Sequence, residues 1–213
     1  MRRSLFYRWL FFTVGLIVLA LGFTMIIKAD KLGISPWDVL NVGLFKNFGL
    51  SIGSWAIIVG FVIVASTAIA TRRLPQIGTL LNMLFIGVFI DIFNFLIPDI
   101  ETLVGQILIF SGGLLIAGYG VGLYVAPKIG AGPRDSLMLV LVEKTGLSIS
   151  IIRSGIEVGV ALIGWMLGGP VGIGTIAVAL LTGKIVQTAL PQFEKLLKNL
   201  IGKKSEVPPA LKM

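Results

Sequence analysis

Four residues of this chain have types and spacing suited to holding a solute, and they come in two matched pairs. Trp37-Asp38 closes the segment Ala29-Asp30-Lys31-Leu32-Gly33-Ile34-Ser35-Pro36-Trp37-Asp38, and Arg134-Asp135 closes Ala126-Pro127-Lys128-Ile129-Gly130-Ala131-Gly132-Pro133-Arg134-Asp135. The offset between Asp38 and Asp135 also maps Gly49-Leu50-Ser51-Ile52 onto Gly146-Leu147-Ser148-Ile149. With one residue of slippage, Ile77-Gly78-Thr79 maps onto Ile173-Gly174-Thr175 and Gly87 onto Gly183. The chain is therefore two copies of one unit. Tryptophan offers a stacking face, and arginine offers a fork that grips carboxylate or phosphate. Each residue also has a purely structural reading: the aspartates cap helices, Trp37 anchors at a membrane interface, and Arg134 is an inside-positive charge.

A second set of polar residues interrupts apolar stretches: Asp91, Arg153, Glu157, Lys184 and Gln187. An ionisable group at membrane depth costs at least about 2.5–3.5 kcal/mol, so such groups pair or line a wet cavity. Arg153 and Glu157 lie four apart, on one helix face. Glu157 is expected to pair with Arg153 or Lys184. It is the first choice for a carboxylate that carries a proton or coordinates sodium, and Asp91 is the second. A static structural pair fits equally well, and Arg153 and Lys184 can snorkel toward the cytoplasm. The repeat pairs Gln187 with Asp91, and Glu157 with Gly60, so the copies have diverged where polar groups enter. Among the 27 glycines, Gly118/Gly122 and Gly155/Gly159 read as close helix packing.

The elements that carry these residues follow from composition. Hydrophobic residues make up 56% of the 213, charged residues 13%, and the mean hydropathy is +0.99. A soluble core of this size cannot hide that much apolar surface, so an all-α membrane protein is expected. With no cysteine and no histidine, thiol chemistry and the usual zinc sites drop out. No catalytic motif stands in their place, so a non-enzyme without cofactor or metal is expected. The net charge of +8 sits between apolar runs, which fits membrane topology and not nucleic acid.

Six spans are predicted, at about 6–27, 54–71, 77–97, 104–126, 150–167 and 173–191. Leu5–Ile27 is too long for a signal-peptide apolar region and reads as a retained first span. The bias of lysine and arginine puts both termini in the cytoplasm. Three spans per copy then force the copies to be inverted. Residues 1–98 form the first repeat, 99–193 the second, and 194–213 a basic cytoplasmic tail suited to anionic lipid. Each copy also holds a short helix, re-entrant or interfacial. Ser35-Pro36-Trp37-Asp38 has the capping-box pattern, Gly49 and Gly146 stop the helices, and Ser51 and Ser148 start the next ones. Their N-termini can hold an anionic group near the bilayer centre.

The stretches Gly33-Ile34-Ser35-Pro36-Trp37-Asp38, Ile77-Gly78-Thr79-Leu80-Leu81-Asn82, Gly130-Ala131-Gly132-Pro133-Arg134-Asp135-Ser136-Leu137-Met138 and Gly168-Gly169-Pro170-Val171-Gly172-Ile173-Gly174-Thr175 resemble the YczE/YyaS/YitT-type bacterial integral membrane proteins, nearest the YczE branch. The resemblance extends to about residue 190. It implies a multi-pass protein of a bacterial plasma membrane and supplies neither substrate nor catalytic residues. Two functions are carried forward. One is a small-solute secondary transporter, coupled to H+ or Na+, with its site between the short helices. The other is a membrane scaffold or regulator acting through its basic tail.

Overall fold

The computed structural model describes residues 2–130 and 132–201. Among them are eight α-helices: α1 (Arg2–Ile27), α2 (Pro36–Phe48), α3 (Ile52–Thr71), α4 (Ile77–Leu96), α5 (Leu103–Val125), α6 (Pro133–Thr145), α7 (Ile149–Met166) and α8 (Ile173–Ile201). A single 3-10 turn, Asp30–Leu32, joins α1 to α2. Among the described residues, α1, α3, α4, α5 and α8 are long and apolar enough to cross a membrane. The 18-residue α7 carries Arg153 and Glu157 and is not one of the five.

The expected helix boundaries hold to within a few residues, with one exception. Helix α8 does not stop at 191 but runs through Pro191 to Ile201. Residues 194–201 of the basic tail are therefore helical, and the remainder of the tail, 202–213, lies outside the described residues. The caps fall where the residue types put them, with one difference. Gly49 and Gly146 end α2 and α6 at φ +71, which costs glycine little because it has no Cβ. The hydroxyls of Ser51 and Ser148 accept from the backbone N–H of Ser54 and Ile151. Ser35 holds the N-cap position of α2, but its hydroxyl makes no cap hydrogen bond, so the capping box does not form.

Helices α1 and α5 form the centre. Their most apolar windows are 56% and 44% buried, against 22–28% for α3, α4 and α8. They approach closely because Gly15 and Gly22 of α1 meet the backbone of Tyr124 and Ala117, while Gly120 of α5 meets that of Leu19. A side chain at any of these positions would force the backbones apart. Phe12, Leu16, Leu19, Leu114 and Ala117 fill the core around this seam.

Four of the remaining helix contacts pair off when the two sequence copies are exchanged. Helix α1 packs on α4 and α5 on α8; α2 packs on α7 and α3 on α6. Loop contacts gather at two ends. At one, Lys28 pairs with Asp99 at 2.6 Å, Lys31 Nζ donates to the Glu101 carbonyl, and Asn47 Nδ2 donates to that of Leu167. At the other, an Arg8 guanidinium N–H donates to the Pro127 carbonyl, and Lys128 lies 3.8 Å from Glu194.

The largest departure from this exchange is at α3 and α4. Helices α3 and α4 form a tight seam, whereas among the described residues α7 and α8 form none. In the α3–α4 seam Gly53 abuts the Gly87 carbonyl, and a Cβ at Gly60 would lie 2.6 Å from Met83 Cγ. Asp91 of α4 completes it by accepting from Ser51 Oγ and from the Gly53 N–H at the start of α3. The second copy differs at the place that matches Gly87. Gly183 matches Gly87, and a Cβ there would meet nothing within 4 Å. The packing expected of Gly118/Gly122 is present, against Ile185 and Ala189 of α8, but that expected of Gly155/Gly159 is absent.

Candidate functional site

The parted seam opens onto a cavity of about 470 Å³. Both short helices point their N-termini at it: Ser35, Pro36 and Trp37 of the α2 start and Gly132–Asp135 of the α6 start contribute to its wall. This convergence follows from the proline-initiated helices themselves. Pro36 and Pro133 fix the first turn at N1, and Gly49 and Gly146 release the chain at the other end. Neither N-terminus is closed by a side-chain cap. Their first backbone N–H groups and partial positive charge are therefore left toward the cavity.

Arg134 is the centre of the site. Its guanidinium carbon lies 4.9 Å from the Trp37 ring centroid and 5.6 Å from that of Phe23. Trp37 is 8% exposed, so it is a buried platform and not an anchor at the membrane interface. Stacking of this kind fixes the guanidinium plane and leaves its edge N–H groups free to donate. Arg134 Nη2 is 4.0 Å from Asp38 Oδ1, an ion pair too long for a hydrogen bond. The repeat thus brings its own matched positions into contact: Trp37 and Asp38 of one copy face Arg134 of the other.

The polar groups around Arg134 are incompletely satisfied. Asp38 is wholly buried, and among the described residues neither carboxylate oxygen has a hydrogen-bond partner. The same holds for Asn41 Oδ1, Asn82 Nδ2 and Thr182 Oγ1. Buried groups of this kind are rare and normally have a partner. Asp135 Oδ2 accepts from the Tyr124 hydroxyl at 3.4 Å. On the α7 wall, Arg153 Nε donates to Glu157 Oε1 at 3.0 Å, which is the pairing expected from their spacing.

The remaining sequence candidates divide. Gln187 lines the cavity on α8. Lys184 is exposed and does not line it. Asp91 is also outside the lining, where its carboxylate ties α3 to α4. Among the described residues no cluster of three or more acidic side chains forms a metal-binding group. Sequence reasoning missed Asn41, Asn82 and Tyr124. The signal was present for Asn82, a carboxamide within the apolar helix α4, but nothing in the sequence set it opposite α6.

The comparisons with known proteins place the chain among membrane proteins. The chain is 48% identical to an uncharacterized membrane protein, YczE, of Bacillus subtilis (strain 168), over 96% of this chain and 95% of that one. It is 29% identical to the uncharacterized protein YyaS of the same organism, over 92% and 99%. An uncharacterized protein of Haemophilus influenzae (strain ATCC 51907 / DSM 11121 / KW20 / Rd) is 32% identical over 91% and 84%. No solved structure matches. These relatives and the apolar helices make the chain a membrane protein, and the model of the family of unknown function DUF6198 matches residues 6–191, so the chain belongs to that family.

Proposed function

We propose that the chain is a small-solute secondary transporter of the bacterial plasma membrane. It has six spans in two inverted three-span repeats, with both termini in the cytoplasm and the solute held between the N-termini of α2 and α6. The observation that carries this reading is the unequal state of two matching seams around one cavity. The α3–α4 seam is closed by Gly53, Gly87 and Asp91, and the α7–α8 seam is parted. In transporters built from inverted repeats, exchanging the conformations of the two halves exposes the same site to the other side. A static scaffold has no need for matched halves in different states. In this reading α7 also crosses, as the fifth of the six spans, with Arg153 and Glu157 toward the cavity and away from lipid. Glu157 or Asp38 is the carboxylate through which H+ or Na+ would couple.

The absence of native cysteine makes the test direct. Single cysteines replace Ala56 and Ala179, which line the cavity from α3 and α8, and are labelled from each side of the membrane. Transport predicts that adding a solute raises labelling of one and lowers that of the other. The paired substitutions Ser154→Cys and Gly183→Cys occupy the positions matching Ile57 and Gly87, which touch in the closed seam. A cross-link there is expected to abolish the reciprocal change. Labelling that never changes with any solute, together with loss of cellular function on deleting 202–213, would replace transport with the scaffold reading.

A further inference from the structure

Resting on the transport reading of this same site, we propose that its solute is a single-chain amphipathic carboxylate. It enters sideways from the bilayer between α7 and α8, with its carboxylate toward Arg134 and its hydrocarbon chain in the gap. The polar end of the cavity sets donors beside the acceptors Asp38 and Asn41. Arg134 is 31% exposed and closes no hydrogen bond on Asp38. Asn82 is 2% exposed, lines the cavity, and has an Nδ2 without a partner among the described residues. It stands beside the α6 N-terminus, since a Cβ at Gly132 would lie 3.5 Å from Asn82 Oδ1. The Ser136 N–H is taken by the Gly132 carbonyl, but α6 has no side-chain cap for the N–H groups before it. A guanidinium fork, an orphan carboxamide donor and an uncapped helix start together fit a planar carboxylate.

The charges around this point disfavour a doubly charged anion. Glu157 is held by Arg153, and Asp135 takes the Tyr124 hydroxyl. A phosphate dianion in the same place would face Asp38, Asp135 and Glu157, with Arg134 and Arg153 alone to offset them. A cationic solute would have to displace Arg134 from in front of Asp38, which is wholly buried. Much of the rest of the wall is apolar, with Met83, Met138, Ile156, Val178 and Val186 among its residues. Gly183 leaves open space on the α8 side of the gap, and the neighbouring outer faces carry exposed Val158 and Leu180. A slot with an apolar rim and a polar end admits a hydrocarbon chain without stripping water from it inside the protein.

The test uses the full chain in nanodiscs of phosphatidylcholine and a lauric acid analogue with a photoreactive group near its methyl end. Labelled peptides are expected from α7 and α8, and lauric acid should compete at least about tenfold better than lauryl alcohol, lauryltrimethylammonium, butyrate or phosphatidylglycerol. Arg134→Gln should lower that competition about tenfold. Asn82→Ala is the milder second variant and should lower it severalfold. Gly183→Leu should block labelling by filling the gap while leaving Arg134 in place. Equal competition by the alcohol or the ammonium would reduce the site to a greasy slot, by butyrate would remove the chain from recognition, and by phosphatidylglycerol would make it a lipid site. Each overturns the proposal, as does unchanged competition in both Arg134→Gln and Asn82→Ala. Carboxylate-specific labelling without reciprocal cysteine access would leave the solute class standing and sink transport. Reciprocal access driven only by another solute would do the reverse.

Discussion

At the residue scale the site turns on Arg134 and Asp38. Removing the arginine leaves a wholly buried carboxylate without its ion partner. An uncompensated buried polar group costs about 1–3 kcal/mol, and more when charged. Arg134→Gln is therefore expected to lower the melting temperature, and Asp38→Asn in the same chain should restore most of the loss. A thermal-shift double-mutant cycle measures the coupling, and additive effects would mean that the 4.0 Å pair contributes nothing. Glu157 behaves differently because its pair is half open to solvent, with the Arg153 side chain 51% exposed. Such i,i+4 pairs stabilise by about 0.3–0.5 kcal/mol. Glu157→Gln should leave the melting temperature nearly unchanged while suppressing ligand-dependent cysteine reciprocity, if this carboxylate carries the coupling ion. The residue types at positions 37, 38, 134 and 135 were legible as candidates from the repeat alone. Their partners were not. That Arg134 stacks on Trp37, its own counterpart, needs two chain segments to meet that are far apart in sequence.

At the element scale, one substitution at two matching positions is expected to give opposite results. Gly87 touches Ile57 and the Gly53 carbonyl, whereas nothing lies within 4 Å of Gly183. Gly87→Leu should prevent folding or split α3 from α4, while Gly183→Leu should express and melt as the parent does. Fluorescence-detected size exclusion with a thermal ramp separates the two, and equal behaviour would show that the seams are alike. Asp91→Ala removes the carboxylate that holds the α3 start. Its cost should approach that of a lost helix cap, about 0.5–2 kcal/mol, with increased cysteine labelling at Ala56. Helix identity was legible to within a few residues because long apolar runs, prolines at N1 and glycines after the last turn leave few alternatives. The end of α8 was not. Pro191 reads as a stop, yet the helix passes through it and places Glu194 beside Lys128.

At the scale of the whole molecule, the contact pattern predicts a topology. If six helices cross, loop positions 97–102 and 167–172 lie on the face opposite positions 72–76 and 146–148. Single cysteines at Asp99 and at Lys144 should then be labelled by an impermeant maleimide from opposite sides of intact cells and inverted vesicles, Asp99 from outside. Labelling of both from one side would rule out the inverted arrangement. The sequence by itself determined that the chain is apolar, helical, doubled and a membrane protein. These properties are local: each is written in composition, in the spacing of apolar runs and in the residues that start and stop helices. Only the tertiary structure decided that α3 packs tightly on α4 while α7 and α8 form no comparable seam. Gly87 and Gly183 are the same residue at matched places, and no pattern in the chain says which is packed and which is open. That difference arises from how α3 meets α4 and α7 parts from α8, a balance among contacts spread over both copies. It leaves Arg134, Asn82 and the two helix starts facing one cavity.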